Sequence, residues 1–581
     1  MILQSLYALY GRLAEDPTNG LPKPGFSVQG ISFKVVLHPD GKLHGISAVN
    51  DADGHSIKML VPGGAKPSGS GINPCLLWDN TGYMLGTKPE DPKPERSKIS
   101  FNAFRAKHQG LESTLNVPEF SSVCRFLESW EPEHAALHPV LASIKTGFGV
   151  FQILGEDRFV HQHPSVTAWV INQQSSAKTA NEGLCLITGK SAGLAKLHDP
   201  AIKGVAGAQS SGAKLVSFNL DAFVSYGKEQ GLNAPVSEEA SFAYCSTLNF
   251  LLDSKRHRFR VGDATTVFWT DKPTEAENLM AFWFEASGET EDVLLRQRME
   301  ALLEKIAQGK LGEDDLGDAP TRFYILGLSP NAARISVRFW HTATLGEMIT
   351  NLQRHQRDLA IVRQWDESNS KKPEPKFPGV YPLLRQTARD ADGIPPLLGG
   401  SLIRAILLGT RYPDALFQRV MGRLRVAEKD SAGNPTDRVS YLRASVIKAF
   451  LNRNHQQNLP MSLDATRTET SYLLGRLFAV LEKTQEDAQP GINATIRDRF
   501  YSSASATPGT VFPRILRTYQ HHLGKMEGGL KVNRERLVQE VLSNIHDFPG
   551  HLNLLEQGQF AIGYYHQRKD FFTKKTEEQP A

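Results

Sequence analysis

The chain has 581 residues, 40% apolar and 22% charged, which excludes a wholly disordered polypeptide and leaves room for at least two cored domains. No apolar run approaches the ~18 residues of a membrane span, so no membrane contact is expected. Four cysteines, Cys75, Cys124, Cys185 and Cys245, stand far apart with no CxxC pair, which argues against zinc ribbons and disulfide frameworks and fits a cytoplasmic protein.

The first element is an amphipathic helix through Leu3, Leu6, Tyr7, Tyr10 and Leu13, ended by Asp16, Pro17, Asn19 and Gly20. It lacks the basic start and long apolar core of a secretion signal, so none is expected. Short strands follow between Gly25 and Gly86: FSVQGISFKVVLHP, KLHGISAV, HSIKMLVP, CLLWDN and YMLG. Residues 97–130 turn helical, and strand patterns return at 148–154 and 183–187. FYILGL, the turn Ser329-Pro330-Asn331 and ARISVRFW predict a β-hairpin, followed by a helix from about Leu345 to Val362. Pro373, Pro375 and Pro378 then interrupt all periodicity, and beyond them nearly every segment is helical. The expected fold is a mixed, β-rich α+β part over 1–365, a proline-rich linker over 366–380 and an all-α bundle over 381–581.

Charge is segregated along this order. Residues 401–460 carry ten Lys or Arg against four acids, whereas 275–318 carry twelve acids against four bases. Such asymmetry fits a polyanion-binding face opposite a protein-contacting one, and equally two solvated helical surfaces.

Motifs of enzyme chemistry are incomplete. GAQSSGAK (207–214) nearly spells a phosphate loop, but Ala213 intervenes and Leu215 stands where a metal-binding hydroxyl is needed; an ordinary turn before a strand LVSFN is the simpler reading. His198-Asp199 and His546-Asp547 are lone dipeptides, and His161 with His163 lacks a carboxylate partner. Asp366 with Glu374-Pro375-Lys376 imitates a nuclease cluster from within the linker. No catalytic residue, metal site or cofactor is assigned.

Two segments suit nucleic acid. KRHRFRV (255–261) sets Arg256, Arg258 and Arg260 at period two, with Phe259 and Val261 facing a core; three aligned guanidiniums fit a phosphate backbone, or a charged, solvated edge strand. In GGAKPSGSGINPCLLWDNTGYMLG (63–86), glycines allow close approach while Lys66, Ser68, Ser70 and Asn73 supply short donors, as a minor-groove reader needs; a mobile Gly/Ser loop has the same composition.

Together with MILQSLYALYGRL, that segment and the block CLITGK…LHDPAIKGVAGAQSSGAKLVSFNLDAFVSYGKEQGLNAPVSEEASFAYCSTLNFLL resemble the large subunit of the subtype I-C CRISPR interference (Cascade) complex. VGDATTVFWT, FYILGLSPNAARISVRFW and GQFAIGYYHQRKDFF extend the resemblance to about Phe572. It implies a non-catalytic, crRNA-guided role: recognising the protospacer-adjacent motif in double-stranded DNA, helping to open the duplex and form the R-loop, and recruiting a separate helicase-nuclease. The implied partners are crRNA, target DNA, the backbone and crRNA-end subunits of the complex and small helical subunits. Motif contacts are expected from Lys66, Ser68, Gly69, Ser70, Asn73, Asn80 and Tyr83, although lysine at 66 lacks the bidentate geometry of arginine. Backbone contacts are expected from Arg256, Arg258, Arg260, Arg419, Arg423, Arg425, Arg497, Arg499, Arg514 and Arg517. The resemblance also implies an internal translation start at Met461, releasing the 121 residues 461–581 as a small subunit. The alternative from another class is a metal-dependent nuclease or nucleotide-driven enzyme of the same defence system.

Overall fold

The computed structural model describes the chain except residues 52–53, 65, 67–70, 89–90, 92, 145–146, 177–180, 262, 285–292, 311–314, 316, 366–369, 371–372, 427–436, 493 and 573–581. Its contacts form two compact units, Met1–Asp253 with Pro330–Ser336, and Ser254–Ser329 with Val337–Ala581. The α+β beginning and mostly helical end agree with the sequence reading. The division falls at Asp253 and not at the proline-rich stretch. There, side-chain bonds replace the ladder that proline forbids: Glu374 accepts from the Gln364 N–H (2.7 Å), and the Tyr441 hydroxyl donates to the Pro375 carbonyl (3.0 Å).

In the first unit one long strand, β1 (Phe26–Leu37), serves three partners. Its first half pairs antiparallel with β3 (Ile57–Pro62), and its second half pairs antiparallel with β2 (Leu43–Ala48). It also runs parallel to β5 (Phe148–Ile153), on which β4 (Trp78–Asn80) lies antiparallel. Alternation buries Phe33, Val35 and Leu37 against Phe101, Phe104, Phe120 and Phe126 of the Pro94–Leu115 and Pro118–Ser129 helices. Gly149 is required here, because a Cβ would come within 2.2 Å of the Phe33 ring. A small hairpin, β6 (Glu182–Leu184) with β7 (Ser191–Gly193), precedes the Glu238–Asp253 helix, whose Phe242 meets Tyr10 of the first helix edge-on.

Two expected strands in this unit are not strands. Tyr83–Gly86 follows Asn80, whose side chain accepts from the Gly82 N–H (3.0 Å) and caps a short Thr81–Met84 helix. At LVSFN, Ile202 and Ala213 exchange both backbone bonds (2.8 and 2.9 Å) and the pairing stops at Lys214. Leu215–Phe218 are uniformly half-buried, so no alternating face sustains a ladder.

The second unit opens with β8 (Arg258–Val261), β9 (Ala264–Thr270), β10 (Arg322–Asn331) and β11 (Arg334–Thr344), hydrogen-bonded in that order, the hairpin tip apart. β10 runs on through Asn331, so the hairpin turns at Ala332-Ala333 and not at Ser329-Pro330-Asn331. The Leu345–Leu359 helix starts on a capping box between Thr344 and Glu347. One core joins this sheet to the later helices. No helix among the described residues is long and apolar enough to cross a membrane.

The tightest helix pair is Thr470–Ala488 against Leu554–Asp570. A Cβ on Gly475 would lie 2.0 Å from the Phe560 carbonyl oxygen, and one on Gly563 would lie 2.1 Å from that of Tyr472. The two glycines thus admit backbone to backbone contact from both sides. Gly475→Ala or Gly563→Ala is expected to destabilise the protein by roughly 1–3 kcal/mol despite the better helix propensity of alanine. Gly422→Ala, with nothing within 4 Å, should stabilise it by up to about 1 kcal/mol. Urea midpoints of the three variants check the contrast.

Candidate nucleic-acid interface

The stems of the glycine-rich loop are fixed by side chains rather than by a ladder. The Lys66 ammonium is ion-paired with Asp79, which is wholly buried, and sits 3.2 Å from the centroid of the Tyr83 ring. The same carboxylate accepts from the backbone N–H groups of Cys75 (3.0 Å) and Asn80 (2.7 Å). On the far stem the Asn73 N–H donates to the Tyr83 hydroxyl (3.1 Å), and Lys107 donates to the Pro74 carbonyl (2.7 Å). Leu77, at φ 62°, donates its N–H to Nε2 of buried His108 (2.9 Å), whose pKa burial pushes down to about 4.

These contacts sort the expected motif residues. Lys66, Asn80 and Tyr83 hold the stems: the first by its ion pair, the second as a helix cap, the third as a buried post. Asn73 keeps an exposed side chain on a pinned backbone. Ser68, Gly69 and Ser70 lie outside the described residues, in the segment between the two stems.

The basic residues divide as sharply. Arg256, Arg258 and Arg260 are exposed while Phe259 packs on the core, although Arg256 precedes β8 and only the other two belong to the strand. Of the ten cations in 401–460, Arg438, Arg443, Lys448 and Arg453 are buried. Arg453 pairs with Asp358 (2.6 Å), and Lys448, its pKa pushed down to about 8 by burial, donates to the Asp358 carbonyl (3.0 Å). The charge of that window is therefore partly internal. On the Asp414–Leu424 helix Arg419 is exposed and Arg423 half-buried; Arg425, just beyond, is exposed and donates to Gln557 (3.2 Å).

Arg497 is half-buried and ion-paired. Its guanidinium lies 2.9 Å from Asp437 and 3.7 Å from the buried carboxylate of Glu482. Arg499, Arg514 and Arg517 are exposed. His521 continues the outward row of the Pro508–Leu523 helix, exposed Lys525 follows in the turn just beyond it, and no acid occurs from Arg499 to Met526. The spacing 514, 517, 521 was a readable signal for His521, since positions three or four apart share a helix face.

The remaining motifs settle into structure. Lys214 of the near phosphate loop is ion-paired with Asp199, no helix follows it, and His198 bonds Tyr244 (2.7 Å) within the core. Asp366 lies outside the described residues. Among the described residues no group of three His, Cys, Asp or Glu could hold a metal ion. Met461 is exposed, its carbonyl accepting from the Val362 N–H (2.8 Å). The segment after it is not closed on itself, since Gly558 packs against Phe417 and Leu451.

The Lys66–Asp79 pair yields a stability test. Removing one partner of a buried pair strands the other charge, at a cost of roughly 3–5 kcal/mol. Asp79 cannot reach water, so Lys66→Ala is expected to be costly and Asp79→Asn in that background to recover much of the loss. Burial raises the Asp79 pKa while Lys66 opposes the rise. Without Lys66 the folded state takes up a proton, so the variant loses stability as pH rises through the shifted pKa and is closest to wild type at acid pH. Urea midpoints at two pH values measure both effects.

Comparison with curated proteins finds no match. A family model does match, that of the CRISPR-associated protein Csd1, over residues 6–572. The chain belongs to the Csd1 family of CRISPR-associated proteins.

Proposed function

We propose that the chain is the non-catalytic large subunit of a crRNA-guided type I-C interference complex. In this role it recognises the protospacer-adjacent motif in double-stranded DNA, assists duplex opening and R-loop formation, and helps recruit the helicase-nuclease. The observation that carries the reading is the acid-free row Arg514, Arg517 and His521, exposed along one helix, with Lys525 in the turn beyond it and Arg499 nearby in the sequence. Such a row attracts a polyanion without reading its sequence. Family membership supplies the setting, in which pairing with crRNA reads the long target and protein reads only a short motif.

Motif reading falls to Asn73, Ser68, Gly69 and Ser70, with Lys66 as the staple that aims them. A separate polypeptide starting at Met461, lining the displaced strand, belongs to the same reading, as do the backbone and crRNA-end subunits as partners.

In the reconstituted complex, Asn73→Ala or Ser70→Ala is expected to weaken capture of motif-bearing duplex by roughly 1–3 kcal/mol each, and to affect pre-opened targets much less. Equal losses on both substrates would remove these residues from motif reading. Arg514→Ala or Arg517→Ala should lower affinity for all sequences alike and reduce the salt slope by about one unit. Mass spectrometry of the complex expressed from its native gene tests the internal start: a C-terminal species beginning at Met461 is expected, and its persistence after Met461 is changed would place the start elsewhere.

A further inference from the structure

One tyrosine of the first unit is set almost wholly into solvent. Tyr226 is 99% exposed at the tip of a two-residue turn, in which Lys228 donates its N–H to the Ser225 carbonyl (3.0 Å). Both central residues are left-handed, Tyr226 at φ 52° and Gly227 at φ 68°. Such a turn suits Asn-Gly, because the first position strains most residues that carry a Cβ. Turn chemistry alone therefore does not account for an aromatic residue here.

The turn is nevertheless held. The Asn233 side chain accepts from the Ser225 N–H (3.0 Å) and donates to the carbonyls of Lys228 (2.7 Å) and Gln230 (3.0 Å). The base of the arm is fixed at Gly231, whose N–H donates to the Lys196 carbonyl (2.9 Å). A Cβ on Gly231 would lie 2.4 Å from the Ala195 carbonyl oxygen, so the two backbones meet directly. Three residues before the tip, Arg334 lies over the Phe223 ring, 4.9 Å from its centroid. A ring clamped in this way and given no burial of its own costs the free chain both strain and exposed apolar surface.

The surroundings of the tip indicate what covers it. Leu220 (57%) and Val224 (44%), in the same arm, and Leu197 (57%), next to Lys196, are exposed as well. Between residues 190 and 230, Lys190, Lys196, Lys203 and Lys228 are exposed against Asp221 and Glu229, while Lys214 is paired with Asp199.

We infer that Tyr226 is the anchor of a protein–protein contact, seated in an apolar pocket edged by carboxylates on another subunit of the complex. A projecting side chain needs a concave receptor, and the exposed aliphatic residues near it gain from burial against protein carbon. The surplus lysines complement acids at the rim. A polynucleotide would match the ring and the lysines but offer the aliphatic residues little apolar surface. A tyrosine already held in place loses little freedom on binding, which suits an anchor. The inference rests on the reading of the chain as a subunit of an interference complex, but not on motif recognition or on any DNA contact.

The test measures association of the full-length chain with a subcomplex of crRNA, backbone subunits and the crRNA-end subunit. Tyr226→Ala should weaken it about 30-fold or more, whereas Tyr226→Phe should keep most of the affinity. Tyr226→Asn should lose binding equally while raising the urea midpoint of the chain, because asparagine relieves the turn. A fall in both affinity and midpoint for Tyr226→Asn would make the tyrosine structural and overturn the inference. Lys196→Glu with Lys228→Glu should weaken association more at low salt than at high salt. A photoreactive benzoylphenylalanine at position 226 should crosslink to a protein subunit; a crosslink to crRNA, or to a second copy of the chain, would overturn the inference. Wild-type affinity in both Tyr226→Ala and Tyr226→Asn would overturn it while leaving the complex reading intact. If the wild-type chain does not join the subcomplex at all, the complex reading fails and the inference falls with it.

Discussion

A carboxylate withdrawn from water stays charged only if a cation and donors are held against it, and this constraint decides which way the basic residues of the chain face. Asp79 takes Lys66. Glu482, fully buried, accepts from the hydroxyls of Tyr564 (2.6 Å) and Thr495 (2.8 Å) with Arg497 and Arg568 close by. Asp358 takes Arg453. Each pair removes from the surface a cation that a charge count assigns to it.

What remains outside is narrower and better ordered than the total suggests. Along the Pro508–Leu523 helix the outward cations follow the helical repeat, and Arg514 lies over the Phe500 ring, 5.4 Å from its centroid. On β8 the arginines point outward because Phe259 between them is drawn into the core. In both places apolar burial sets the orientation and the charges follow from it.

The same logic organises the glycine-rich loop. Its flanks are tied by an ion pair, a cation over a ring and a tyrosine hydroxyl accepting a backbone N–H. A donor at the tip of such a loop approaches a ligand from a defined origin, which lowers the entropy cost of binding. Lysine at position 66 makes a point contact with one carboxylate while lying over one ring.

Period-two alternation in Phe26–Leu37, the hairpin of β10 with β11, the C-terminal helices and the family itself were all legible from residues near one another in sequence, because local propensity and side-chain periodicity act over a few positions. The short helix at Thr81 was misread because one cap, Asn80, outweighed the strand-like composition of YMLG. The roles of Lys66 and Arg497 depend on partners 13 and 15 positions away, and Arg453 reaches one 95 positions away. The cluster of Trp269, Tyr324 and Trp340 draws on three separate strands. Sequence alone determined which residues carry charge, aromaticity and periodic faces. Tertiary structure decided which of those charges are consumed inside and which meet solvent, because desolvation is settled by neighbours that the chain brings together only on folding.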